Sequence, residues 1–219
     1  MRITEPVEGI FKLEVPFEDI YTAVFAVSDA DGDRYALIDA ATTSHDVNAF
    51  ILPALREIGF KKSAPEMLLL THRHGDHAGG AARLRELFPS MPVYSPEPLK
   101  ACPVTSLAGG EVFLGRYEAI LLPGHTGSSV GYLDRVSGTL LSGDCLQLWG
   151  VSRYTDNIAY PDRYLASIKH LRRLKPGRIL ASHEYVPLGS IAEGENAVMQ
   201  YLDECERACL HMKSKGEKL

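Results

Sequence analysis

The stretch from Leu68 to Gly80 reads LLLTHRHGDHAGG, and within six residues it collects three imidazoles and a carboxylate: His72, His74, Asp76 and His77. All four stand directly behind an apolar run that ends at Thr71. Side chains of an extended segment alternate with period two, so His72 and His74 face the same side and one ion can take both. Asp76 and His77 sit at the turn into a helix, aimed at a second position, and Gly75 permits that turn. Neutral imidazoles and carboxylates suit zinc and related divalent ions, and they leave a position open for water. A lone histidine is more often a surface or satisfied core residue. Four ionisable groups together are different, because leaving them unpaired behind a buried strand costs several kcal/mol.

Three further segments repeat the pattern of an apolar run that delivers one ligand type beside small residues. Ile120 to Thr126 (ILLPGHT) delivers His125, Leu140 to Asp144 (LLSGD) delivers Asp144, and Ile179 to His183 (ILASH) delivers His183. Taken alone, Asp144 also reads as a turn residue after Gly143. In this order, His-x-His-x-Asp-His, PGHT, GD and a late His, the chain resembles the metallo-β-lactamase superfamily over most of its length. The resemblance implies an α+β fold, the four-layer αββα sandwich. It implies His72, His74 and His125 on one ion, Asp76, His77 and His183 on a second, and Asp144 bridging both. The cofactor would be two divalent ions, zinc first, with Fe and Mn suited by the same donors. The chemistry implied is hydrolysis of a small ester or thioester by a metal-bridging hydroxide, with Asp76 as the catalytic group that orients it or passes its proton on.

Within that superfamily the chain is most similar to glyoxalase II through THRHGDHAGG, LPGHT, SGD and HEY at His183 to Tyr185, although Ser128 and Ser129 stand where that family continues with a Gly-His pair. Lactonases share the motif and the chemistry. Persulfide dioxygenases share the fold but use one iron, which here would take His72, His125 and Asp144, so the rival is an oxygen-consuming oxidoreductase. Cleavage of β-lactams is disfavoured, because family β-lactamases carry Cys or Ser where this chain has Asp144. A non-catalytic module on this fold would be expected to lose ligands, and all seven are present.

These ligands need strand ends to present them. Apolar runs occur at Ala23 to Val27, Tyr35 to Ile38, Met67 to Leu70, Val93 to Tyr94, Tyr117 to Leu122, Val130 to Leu133, Thr139 to Leu141 and Ile179 to Leu180. Helix-period segments are expected at Asp46 to Ile58, His77 to Phe88, Asp162 to Leu174 and from Ile191 to about Lys213. Arg34 to Asp39 (RYALID) and Gly138 to Asp144 (GTLLSGD) echo each other, each an apolar strand ending in Asp, which hints at two similar halves. Asp39 itself reads equally as support for a ligand or as a turn residue. Trp149, Tyr154 and Tyr185 are the aromatic residues expected to contact substrate. Cys145 reads as a small buried thiol rather than an extra ligand, and Cys205 and Cys209, spaced i, i+4, as part of a helix's buried face.

Length and composition set the frame. With 219 residues a sizeable core is available, and one domain over 1–219 with a helical C-terminus from about 190 is expected. The hydrophobic fraction of 45% and charged fraction of 23% are ordinary for a globular protein, and no apolar run reaches the ~18 residues of a membrane span. The four cysteines lack a disulfide spacing, and the N-terminus lacks a secretory signal, so a cytoplasmic protein with reduced thiols is expected. With net charge -5 and no Lys/Arg block, a small-molecule substrate is expected rather than nucleic acid or membrane. The oligomeric state is left open.

Overall fold

The computed structural model describes residues 1–60, 64–155 and 157–216. The chain resolves into two compact units, Met1–Tyr117 and Glu118–Leu219. Each pairs a mixed sheet with helices, so the class is α+β as expected.

In the first unit β1 (Arg2–Val7), β2 (Ile10–Phe17) and β3 (Ile20–Ser28) form an antiparallel meander, and β4 (Tyr35–Ile38) returns antiparallel to β3. β5 (Leu68–Leu69), β6 (Val93–Ser95) and β7 (Thr105–Ser106) then add in parallel, giving one sheet in the order β1 to β7, and the short β8 (Val112–Phe113) follows. The apolar runs at β3, β4, β5 and β6 were legible. β1 and β2 were not, because Lys12 and Glu14 interrupt the β2 run. Lys12 is nevertheless buried, its ammonium donating to the Tyr21 hydroxyl at 2.7 Å and pairing with Glu14.

The helix expected over Asp46 to Ile58 is α1 (Ser44–Asp46), a π turn at Val47–Ile51 and α2 (Leu52–Glu57). Thr43 and Asp46 make a reciprocal capping box at its start. Val47, Ile51 and Leu55 pack with Leu13, Val24, Leu37, Leu68 and Leu84 into one core. The helix expected over His77 to Phe88 is split into α3 (Gly75–Ala78) and α4 (Ala81–Leu87). The glycine pair between them has a steric cause. A Cβ on Gly79 would lie 1.8 Å from the Thr42 carbonyl oxygen, and one on Gly80 would lie 2.1 Å from that of Ala40. The backbone itself packs there, and only glycine fits.

In the second unit the strands β9 (Tyr117–Leu121), β10 (Val130–Asp134), β11 (Thr139–Gly143), β12 (Arg178–Ala181) and β13 (Ile191–Glu193) are ordered β13-β12-β11-β10-β9. β10 and β11 are antiparallel, and the helix α5 (Pro161–Leu174) is the crossover that makes β11 and β12 parallel. Ile191 to Glu193 corrects the helix expected from Ile191. These residues alternate exposed, buried, exposed and pair antiparallel with β12, and the long α6 (Glu195–Gly216) begins only after Gly194, whose φ is +83°. Cys205 and Cys209 lie on the buried face of α6 as expected. Arg172 on α5 ties to Asp203 and Glu206 on α6 at 2.6 and 2.8 Å.

The two halves echo each other in topology as well as in sequence. β3, β4 and β5 pair antiparallel then parallel, and β10, β11 and β12 repeat that order. In each half the middle strand ends in an aspartate, Asp39 or Asp144, and the third strand leads to a histidine, His72 or His183.

Candidate metal centre

In the first unit the parallel strands β4 and β5 put their ends side by side, and the loop after β5 carries the His-rich motif. Asp39, with φ +65°, is held there by its own N–H on the Leu69 carbonyl and is fully buried. Its carboxylate accepts the Thr71 N–H at 2.8 Å, the Thr71 hydroxyl at 2.9 and 3.1 Å, and Nδ1–H of His77 at 2.8 Å. These bonds fix the imidazole tautomers. His77 spends its proton at Nδ1, so Nε2 carries the lone pair. The Thr71 hydroxyl gives its proton to Asp39 and therefore accepts from His72 Nδ1 at 3.0 Å, which leaves His72 Nε2 bare as well. One buried carboxylate thus leaves Nε2 unprotonated on two of the candidate ligands. Sequence reading weighed that role for Asp39 against a turn residue, and it missed Thr71, whose only signal was its place one residue before the motif.

These unprotonated nitrogens face other candidate ligand atoms. His72 Nε2 lies 3.0 Å from His74 Nδ1, and His77 Nε2 lies 3.3 Å from Asp76 Oδ2. Thr22, on β3, donates its hydroxyl to the same Asp76 oxygen at 3.1 Å and holds the carboxylate in place. His74 is exposed while His72 and His77 are buried, so the motif runs from the interior to the surface and back within six residues.

In the second unit the ends of β11 and β12 present Asp144 and His183, and the loop after β9 presents His125. All three are buried. His183 Nε2 lies 3.4 Å from Asp144 Oδ1, and His125 Nε2 lies 3.6 Å from Oδ2, so both oxygens of one carboxylate are flanked by imidazole nitrogens. Nδ1 of His125 is 2.8 Å from the Asn157 carbonyl oxygen, an acceptor only, so the proton sits there and Nε2 is again the bare atom.

A divalent ion fits these donors. Two ligands at the usual Zn–N and Zn–O lengths of about 2.1 Å in tetrahedral geometry lie about 3.4 Å apart. The ligand pairs just described span 3.0 to 3.6 Å, longer for the most part than good hydrogen bonds.

The three aromatic candidates fall differently. Trp149 is 38% exposed on the loop after Asp144, its indole N–H donating to Glu204 on α6 at 3.1 Å and its ring against His211. Tyr154 is half-buried, and its hydroxyl accepts from Arg153 at 3.3 Å. Tyr185 is buried edge-on against the His183 ring, with centroids 5.5 Å apart. Thr22 carried no signal in the sequence; it reaches Asp76 only through the fold. Cys145 is a buried thiol.

The model of the metallo-beta-lactamase superfamily matches residues 19–113. Hydroxyacylglutathione hydrolase from Yersinia enterocolitica is 34% identical over 138 residues, 61% of this chain and 53% of that protein, and the Yersinia pestis enzyme of the same name gives the same figures. A solved protein described as TTHA1623 in a di-iron-bound form is 27% identical, with 82% of this chain and 93% of that one covered at a TM-score of 0.62. In sequence the chain is similar to the metallo-beta-lactamase superfamily over residues 19–113. Its fold is the metallo-beta-lactamase fold, as the DIM-1 metallo-beta-lactamase also shows at a TM-score of 0.74, 18% identity and coverage of 96% of this chain and 97% of that one. The chain spans about half the length of the curated relatives it matches. Among the described residues no helix is long and apolar enough to cross a membrane.

Proposed function

We propose that this protein is a metal-dependent hydrolase of a small ester or thioester, similar in chemistry to the hydroxyacylglutathione hydrolases it matches. His72, His74, Asp76 and His77 of the first unit and His125, Asp144 and His183 of the second are the proposed ligands of divalent metal ions. The observation that carries the reading is the tautomer control in both units: Asp39 and the Asn157 carbonyl each hold an Nδ1 proton, so that buried Nε2 lone pairs are offered to a cation. The order of the seven proposed ligands in the sequence supports that assignment.

Bound divalent ions lower the pKa of a water and polarise a carbonyl, so no nucleophilic side chain is required. The protein's own groups do the rest. Asp76, fixed by Thr22 and adjacent to His77 Nε2, would orient the attacking water and take up its proton. Trp149, on the loop that follows Asp144, offers an exposed apolar face for the acyl or thiol part of the substrate.

The test is elemental analysis joined to a substrate panel of thioesters, including hydroxyacylglutathiones, with lactones and phosphodiesters, run beside an oxygen electrode. Two divalent ions per chain and thioester cleavage without oxygen uptake are expected, with His72→Ala inactive but folded. One iron per chain with oxygen consumption would replace the hydrolase by a dioxygenase, and preference for lactones would move the substrate class.

A further inference from the structure

The second unit holds a buried polar chain that ends on one of the proposed ligands. The Gln147 side-chain amide lies against the His125 ring, with its nitrogen 2.9 Å from Nδ1. The Gln147 backbone N–H donates to the Tyr164 hydroxyl at 3.0 Å. Gln147 is 4% exposed and Tyr164 is fully buried. Tyr164 lies on α5, and α5 also grips the other side of the His125 loop: the Ser167 hydroxyl donates to the Pro123 carbonyl at 2.8 Å and the Tyr160 N–H to that of Gly124 at 2.8 Å. The contact is close enough that a Cβ on Gly124 would lie 2.6 Å from Tyr164 Cα. One helix therefore sets both the loop bearing His125 and the loop running on from Asp144.

The proton bookkeeping assigns Gln147 a task. A lone pair at His125 Nδ1 would face the Asn157 carbonyl oxygen at 2.8 Å, which is repulsive, so Nδ1 is protonated. With the isosteric ends of the Gln147 amide exchanged by a half turn, its oxygen would share that proton with the Asn157 carbonyl. We propose that Gln147, seated by Tyr164, is a positioning residue that holds the His125 ring plane and its Nδ1-protonated tautomer, and so keeps Nε2 directed at a metal ion. The inference rests on His125 being a ligand. Nothing in the sequence marks Gln147, since its neighbours on the Asp144 loop are apolar and its partners lie on other elements.

The experiment uses the full chain stripped of metal, titrated with Zn²⁺ and with Co²⁺ against a chromophoric chelator, and the visible spectrum of the Co²⁺ form. Gln147→Leu keeps the size and removes the acceptor; Gln147→Glu keeps an oxygen for Nδ1–H. Loss of about 10- to 100-fold in affinity with an altered Co²⁺ spectrum is expected for Gln147→Leu, and recovery toward the native values for Gln147→Glu. A merely structural side chain would make the two variants equally poor, and that result overturns the proposal, as does native affinity in Gln147→Leu. Should Gln147→Leu fail to fold, Tyr164→Phe removes only the hydroxyl that seats Gln147 and is expected to weaken metal binding in the same direction; native affinity and spectrum there overturn the proposal. His125→Ala separates the levels. If it binds metal like the native chain, the ligand assignment falls and this inference with it, whereas weak binding by His125→Ala beside native binding by Gln147→Leu overturns this inference alone.

Discussion

Asp39→Asn is the sharpest single perturbation of the first unit, because Asn has the same shape and tolerates the left-handed backbone at φ +65°. The native carboxylate accepts from three donors: Thr71 N–H, Thr71 hydroxyl and His77 Nδ1–H. An amide has one oxygen, so it can serve the Thr71 side or the His77 side but not both. Two Thr71 donors outvote one imidazole, and the amide oxygen goes to Thr71. The amide N–H₂ then faces His77, which moves its proton to Nε2 so that Nδ1 can accept. The bare nitrogen beside Asp76 is lost. Hydrogen bonds to a charged group contribute about 1.5 to 3 kcal/mol, and groups that orient metal ligands are worth about 10- to 100-fold in affinity. Metal titration of the stripped protein is therefore expected to show a loss of that size. The fold should persist, with thermal unfolding of the stripped variant close to native, since the new amide still pairs with its neighbours. Native affinity in Asp39→Asn would refute the claim that this carboxylate sets the imidazole tautomers.

Three other outcomes follow from the same structure. Gly79→Ala is expected to cost about 1 to 3 kcal/mol of stability in a thermal or denaturant melt, because its Cβ would press on the Thr42 carbonyl oxygen. Burial holds the Tyr35 phenol up at about 12 and the Cys205 thiol up at about 12. Both are neutral in the folded protein above the pH at which the unfolded chain ionises them, so the stability they contribute is complete below about pH 9 and is lost as pH rises to about 12. Denaturant midpoints across that range will show the fall, and Cys205→Ala should shallow it. Chelation with EDTA is expected to abolish hydrolysis and to lower the melting temperature, with both restored by adding back divalent ion.

The class of fold was legible from residue types and order, and so were the candidate ligands. His72 to His77 announced themselves because polar groups behind LLL demand a partner, and His125, Asp144 and His183 each ended an apolar run that had to be a strand. The echo of RYALID and GTLLSGD foretold paired strands ending in Asp39 and Asp144. Less was visible at the N-terminus, where Lys12 broke the pattern of β2 although its buried ammonium finds Tyr21. The strand at Ile191 to Glu193 was hidden by its shortness, since three residues carry no period.

What remained belonged to tertiary structure. Periodicity places a side chain on a face and motif order names a ligand, but neither says which atom of an imidazole carries the proton. That depends on the acceptor behind it. Asp39 and Thr71 stand 32 residues apart, Asp39 and His77 38 apart, and Gln147 reaches His125 across 22. Such partners meet only when parallel strands align their ends and α5 clamps two loops. The candidate ligand types are local facts of the chain, while the tautomers they would offer to a cation are a property of the hydrogen bonds that folding brings to them.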